Sequence, residues 1–381
     1  MISRSTALHH LSSFLERVPA YASQRNFDRP GHAEVSCLSK WIRYRVITEE
    51  ECVNAVLAHH SFEVAEKFIQ ELMWRTYWKG WLELRPQVWK AFRERLTLLH
   101  DEFSNHEGYL QAIEGRTGLT FFDDWVQELR LTGYLHNHAR MWFASVWIFT
   151  LQLPWQLGAD FMYRHLLDGD PASNTLSWRW VGGLHTPGKF YVARPDNIER
   201  YSEGRWCPKD SELNLNPRPL PMDDSGELVS LETVSIEMPR SDDLVLLHDD
   251  DLSADLSEEL AGRNSRYLLW DRSVGERSSV VREHLEQLRC DVRERTSAAS
   301  VANAEAIVSE ASRRSSTRVH TIKPHCGEID HEISGLKESL SSHGIEVVFH
   351  RRRWDALYFP RATSGFFSFW SPIKRKFERA S

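Results

Sequence analysis

The 381-residue chain is poor in cysteine. It has five, at Cys37, Cys52, Cys207, Cys290 and Cys326, an odd number with no CxxC pair. That argues against a disulfide framework, a zinc site or an iron–sulfur cluster, and fits the reducing cytoplasm. Long apolar runs are also missing. The most apolar stretch, Met141–Trp155, carries Ser145, Thr150 and Gln152. It is too short to span a bilayer, so it reads as a buried helix and no membrane is expected as a partner. The N-terminus is amphipathic through Leu8, Leu11, Leu15 and Val18 but lacks the apolar core of a signal peptide. Neither GxGxxG nor a P-loop occurs, which removes the usual phosphate-gripping fingerprints. His136 and His138 lie two apart and cannot share a helical face, so no metal site is expected there.

Charge is present but uneven. The net charge of −7 divides into −1 over residues 1–220, −12 over 221–260 and +6 over 261–381. The acidic block reads as a solvated linker. The near-neutral first half gives no strong electrostatic case for nucleic acid, although a local basic groove could lie within it. Tryptophan is abundant: fifteen residues, twelve of them before residue 207. Most would fill large cores, and dense indoles also suit electron transfer or base stacking.

Up to about residue 215 the pattern is helical, with candidates at 5–17, 47–59, 61–83, 122–132, 135–152, 158–167 and one opening near Pro171. Residues 216–241 are acidic and contain prolines, as a linker or ordered strap would. Beyond them, short strand candidates at Leu244–Leu247, Tyr267–Trp270, Arg318–Ile322 and Ile345–Phe349 alternate with helical segments at 278–294, 301–313 and 329–342. This alternation predicts a Rossmann-like parallel sheet covered by helices, following an all-helical first domain.

Two helical segments carry polar clusters at the same spacing. Glu71, Trp74 and Arg75 share one face, and Asn137, Arg140 and Met141 share another. Such faces suit a planar heterocycle with phosphates. The stretch Leu166–Trp180 (LLDGDPASNTLSWRW) crowds Asp168, Asp170, Asn174, Trp178 and Trp180 together. Helix capping explains only Asp170 with Pro171.

Together with YASQRNF and SCLS near the N-terminus, ELMWR, GRTG and TGYLHNHARM, this stretch resembles the flavin-binding helical domain of the DNA photolyase and cryptochrome family. The motifs run in the family's order over residues 1–215. The resemblance implies FAD held by Tyr21, Ser36, Leu38, Ser39, Phe68, Glu71, Arg75, Tyr134, Asn137, Arg140, Asp168, Asp170 and Asn174. Arg75 matches the phosphate-reaching arginine, Arg140 and Asp168 a salt bridge beside the ring system, and Asn174 the residue facing flavin N5. Photolyases have Asn there, plant cryptochromes usually Asp and animal ones Cys. Trp74, Trp180, Glu71, Asn137 and Met141 fall where dimer-repairing photolyases clamp and contact a flipped-out pyrimidine dimer. Trp178 and Trp155 match the inner members of an electron-transfer relay. The implied catalytic set is thus Glu71, Asn174, Trp178 and Trp155.

The sequence also departs from the family's pattern. Phe68 and Tyr134 stand where photolyases often have Trp, and Val35 replaces a Thr. The outer relay position falls near Glu102–Phe103, with Trp89 or Trp81 as substitutes. Residues 242–381 resemble the family's antenna domain moved to the end of the chain. LVLLHDDDLS resembles its first strand, and HGIEVVFHRRRWDAL with GFFSFWSPIKRKF its close. This implies a circular permutation and allows a second antenna chromophore. The expected function is light-driven repair of cyclobutane pyrimidine dimers in UV-damaged DNA; the alternative is a cryptochrome-like photoreceptor without repair.

Overall fold

The computed structural model describes residues 2–380 except 187, 224, 261–265 and 273–274, and every predicted site residue lies among those described. Twelve helices come first. They are α1 (Arg4–Leu15), α2 (Val18–Gln24), α3 (Ser39–Ile42), α4 (Glu49–Leu57), α5 (Phe62–Glu83), α6 (Pro86–Phe103), α7 (Glu107–Glu114), α8 (Thr120–Thr132), α9 (Asn137–Ser145), α10 (Trp155–His165), α11 (Pro171–Gly182) and α12 (Pro195–Tyr201). α4 opens with a full capping box, Thr48 and Glu51 each accepting from the other's backbone N–H. α9 runs on as a π-helical turn over Val146–Thr150. α6 is an addition to the helices expected from sequence. Pro86 opens it at its first turn, and Val88, Trp89, Phe92, Leu96 and Leu99 bury one face. Trp125, Trp142 and Trp147 are fully buried, which assigns much of the tryptophan excess to the core.

Residues 216–241 form no helix or strand among those described. They are nonetheless held down as a strap. Leu220 N–H donates to Gly182, Val229 N–H to Leu84 and Ser235 N–H to Phe349, and Asp223 pairs with Arg179.

The α/β half carries β1 (Leu244–Leu247), β2 (Arg266–Trp270), α13 (Ser279–Thr296), β3 (Ala299–Val301), α14 (Ala304–Arg314), β4 (Arg318–Ile322), α15 (Glu328–Ser341), β5 (Glu346–His350), α16 (Arg353–Tyr358) and α17 (Phe366–Ala380). All pairings are parallel, in the order β3-β2-β1-β4-β5. Central β1 is wholly buried, as a strand covered on both faces must be. β3 is an addition to the expected strands; its three residues are too short to show a period, and the helix that follows opens later than residue 301.

The strand order reverses between β1 and β4, where open α/β sheets form a crevice at their carboxyl ends. Here the helical half docks into that crevice. Arg43 pairs with Asp250 after β1 at 2.8 Å, and Lys79 Nζ lies 2.9 Å from His325 Nδ1 after β4. Trp354 donates its indole N–H to Thr76 at 3.0 Å. Gly80 lets α5 approach the following turn closely, since a Cβ there would sit 2.8 Å from the Phe359 Cα.

Candidate cofactor and substrate site

The helical half encloses a cavity of about 630 Å³. Its wall is assembled by helical periodicity. α5 contributes Phe68, Glu71, Trp74, Arg75 and Trp78; α9 contributes Asn137, Arg140 and Met141; α11 contributes Asn174, Ser177, Trp178 and Val181. Within each set the side chains recur three or four residues apart and therefore share a face. Tyr21 closes the wall from α2, Ser36 and Ser39 from the segment entering α3, and Asp168 and Asp170 from the turn before α11. Asp170 is the α11 N-cap, accepting from Ser173 N–H at 2.8 Å with Pro171 in the first turn.

Charge on this wall is arranged in pairs. Arg140 Nη2 lies 3.0 Å from Asp168. Burial disfavours the Asp168 carboxylate, but Arg140, Ser39 and Arg75 together outweigh it and hold the group below its ordinary range. Burial likewise opposes charge on Asp170. Lys79 and Arg75, each at 3.3 Å, and Arg43 at 4.0 Å, hold it ionised well below the usual carboxylate range. Arg75 is also bonded to Glu49 at 3.0 Å. Glu71 pairs with Arg25; burial pushes its carboxyl upward while Arg25 opposes. Asn174 donates Nδ2 to the Ala159 carbonyl at 2.8 Å, which leaves Oδ1 as an acceptor.

Of the predicted site residues, three stand off the wall. Leu38 is fully buried. Tyr134 lies against His32, ring centroids 4.7 Å apart, and under the Arg140 guanidinium. Trp155 stacks on Phe92 at 5.4 Å, whereas Trp178 meets Phe143 and Trp147. Among the described residues no ring contact joins Trp155 to Trp178. The two indoles expected at the substrate are both backed by aromatic rings. Trp74 stacks on Phe366 at 3.6 Å with planes 8° apart, and Trp180 on Tyr191 at 5.9 Å and 24°.

Arg25, Asn26, Trp78, Met162, Ser173 and Ser177 also line the cavity, beyond the predicted set. Trp78 has a signal in the sequence, following Trp74 by four residues. Lys79, buried behind Asp170, is four residues after Arg75 and carries the same signal. The Arg25–Glu71 pair spans 46 residues and has none.

A large group with a polar ring and phosphates fits these walls. The volume is in the range of small-molecule sites. Three wall residues, Asp168, Ser173 and His138, each keep a buried side-chain atom with no hydrogen-bond partner among the described residues. Such atoms call for a bound partner. Arg25, Arg75 and Arg140 supply cationic donors.

Residues 68–204 match the family model described as the FAD binding domain of DNA photolyase. The chain is 33% identical over 234 residues to a deoxyribodipyrimidine photo-lyase of Thermus thermophilus, covering 55% of this chain and 53% of that protein. It is 31% identical over 183 residues to one of Vibrio cholerae, covering 46% and 38%. The chain thus spans about half or less of the length of these relatives. A cryptochrome of Synechocystis aligns with a TM-score of 0.47 at 23% identity, over 52% of this chain and 43% of that one. The cofactor of the matched domain is FAD, and the helical half of the chain is similar to the FAD-binding domain of DNA photolyases.

Proposed function

We propose that the protein is a light-driven photolyase acting on cyclobutane pyrimidine dimers in UV-damaged DNA, working in the cytoplasm. The observation that carries this reading is the meeting of Glu71, Trp74, Asn137, Met141 and Trp180 on the wall that also holds Asn174. What bound, reduced FAD supplies in light is one electron, which returns to it once the cyclobutane ring has split. The chain's own residues do the remainder. Trp74 and Trp180, stiffened by Phe366 and Tyr191, grip an extruded lesion by stacking, which every base tolerates. Glu71 and Asn137 offer hydrogen bonds to the pyrimidine edges. Asn174 would offer its Oδ1 as an acceptor to flavin N5, and Arg140 with Asp168 fixes the neighbouring wall. The α/β half is read as the family's antenna domain, circularly permuted to follow the strap, a reading that allows a second antenna chromophore.

In the dark, the FAD-loaded protein is expected to bind dimer-containing oligonucleotide more tightly than undamaged oligonucleotide. Trp74→Ala and Trp180→Ala should each cost about 1–3 kcal/mol of that preference. Equal binding of damaged and undamaged strands would reject the reading. One observation favours a second reading, a cryptochrome-like photoreceptor. Asp170 is wired through Lys79 and Arg43 to His325 and Asp250 in the α/β half, so a charge change at the flavin can be felt across the interface.

A further inference from the structure

α17 is the last helix of the chain, yet it lies against α5, which builds the cavity. Its inner face is apolar: Phe366, Phe369, Trp370 and Ile373 are buried, and Phe377 stacks on Phe62. Its outer face differs. Phe367, Ser371, Arg375 and Arg379 recur every four residues, and all are exposed, as is Lys376. Among the described residues, Arg375, Lys376 and Arg379 have no carboxylate within ion-pair distance, whereas Lys374 pairs with Glu66 and Glu378. Other described arginines also lack an acidic partner, but these three cations lie together within five residues on the exposed face of one helix. Phe367 is 69% exposed and meets Trp74, the indole on the cavity wall, edge-on at 6.4 Å. The stripe therefore begins beside the cavity indole and runs away from it for roughly 18 Å at the helical rise, the axial length of about five base pairs.

We propose that α17 is a nucleic-acid contact, with Phe367 at the edge of the lesion clamp and Arg375, Lys376 and Arg379 on the phosphates of the duplex flanking it. This rests on the repair reading for the position of the lesion but not for the chemistry. An unpaired cationic stripe favours a polyanion, and its spacing suits a regular one. A basic amphipathic helix could also lie on an anionic membrane, but the apolar face that would enter lipid is already committed to α5.

The test compares the full, FAD-loaded chain with its Arg375→Gln/Lys376→Gln/Arg379→Gln variant. Dimer-containing duplex is titrated across a range of salt concentrations, and splitting of a dimer in an isolated dinucleotide is followed under blue light. The variant should bind duplex more weakly. Its slope of log affinity against log salt should be shallower by about 0.9 for each phosphate the helix no longer neutralises, up to roughly 2.7. Its flavin content and its action on the dinucleotide should be unchanged. Phe367→Ser should weaken binding without changing the slope. An unchanged slope and affinity overturn the proposal. So does weakening seen only with phosphatidylserine vesicles, and so does wild-type protein that retains no duplex at any salt. If wild type binds duplex but splits no dimer, the repair reading fails, and the slope comparison still decides the role of α17.

Discussion

Arg45 of the helical half and Asp355 of the α/β half form a two-pronged buried pair, Nη1 to Oδ2 at 2.8 Å and Nη2 to Oδ1 at 2.6 Å. Both residues are almost fully buried, and Asp251 and His325 adjoin them. Burial alone would disfavour both charges, and the mutual attraction of Arg45 and Asp355 overcomes it. The pair is a lock between the two halves. Arg45→Leu should destabilise the protein by about 3–5 kcal/mol, because it leaves a carboxylate buried with weaker partners. Urea denaturation followed by tryptophan fluorescence measures this. A change within about 1 kcal/mol, the scale of an exposed ion pair, would mean that this pair does not lock the halves together.

Gly158 is the close-packing point beneath α11, the helix that lines the cavity with Asn174 and Trp178. A Cβ there would lie 2.3 Å from Trp178 Cη2 and 2.8 Å from Trp147 Cε2. Both indoles are buried, and the space open to Trp178 is the cavity it lines. Gly158→Ala should therefore cost about 1–3 kcal/mol as overpacking and displace Trp178. FAD content after purification and the thermal midpoint should fall together.

Much of this site was legible in the sequence because helices repeat. Glu71, Trp74 and Arg75 on α5 and Asn137, Arg140 and Met141 on α9 share faces by spacing alone, and the structure brings both faces to one cavity. The stretch LLDGDPASNTLSWRW was likewise readable: Asp170 caps α11, and Asp168, Asn174, Trp178 and Trp180 reach the wall. What stayed hidden depends on tertiary contact. The four-residue spacing puts Lys79 on the Arg75 side of α5 but does not announce that His325 will meet it there, and nothing in Phe366 announces that it will cover Trp74. Leu38 and Trp155 illustrate the opposite limit. A motif match assigns a residue to a neighbourhood, and packing then decides which side of the wall it occupies.

Acid should weaken the fold as pH falls toward 4. Burial drives His136, His138, His185, His284, His325 and His350 down to about 4 from an ordinary 6.5. In the unfolded chain these imidazoles take up protons near 6.5, and in the fold they do not. Their contribution is complete above 6.5 and declines as pH falls from 6.5 to about 4. His32 acts in the other direction. Burial opposes its charge, but Asp28 and Glu128 raise it to about 9, so its contribution is complete below 6.5 and fades between 6.5 and 9. Glu83, whose carboxyl burial pushes up to about 7, also favours the fold as pH falls, so six groups against two predict a midpoint in urea that drops between pH 7 and pH 4. A flat profile over that window would show that these histidines are not buried neutral.

Two substitutions in the α11 face separate cofactor tuning from electron supply. Asn174→Asp replaces the amide that donates to Ala159 and adds negative charge to the cavity wall. It should change which redox state of the flavin accumulates in light, read as the illuminated-minus-dark absorption spectrum. Trp178→Phe should slow photoreduction while leaving dimer splitting by chemically pre-reduced protein largely intact. Equal loss of both activities in Trp178→Phe would mean that the indole serves the site by packing alone.

The most direct test of the account is illumination of purified, FAD-loaded and reduced protein with an oligonucleotide containing one cyclobutane thymine dimer, followed by chromatography of the strand. The account predicts intact thymines appearing in blue light, none in the dark, and a marked slowing in Glu71→Gln. Dimer that remains unsplit while the protein holds reduced FAD and the damaged strand would contradict it and leave the photoreceptor reading in its place.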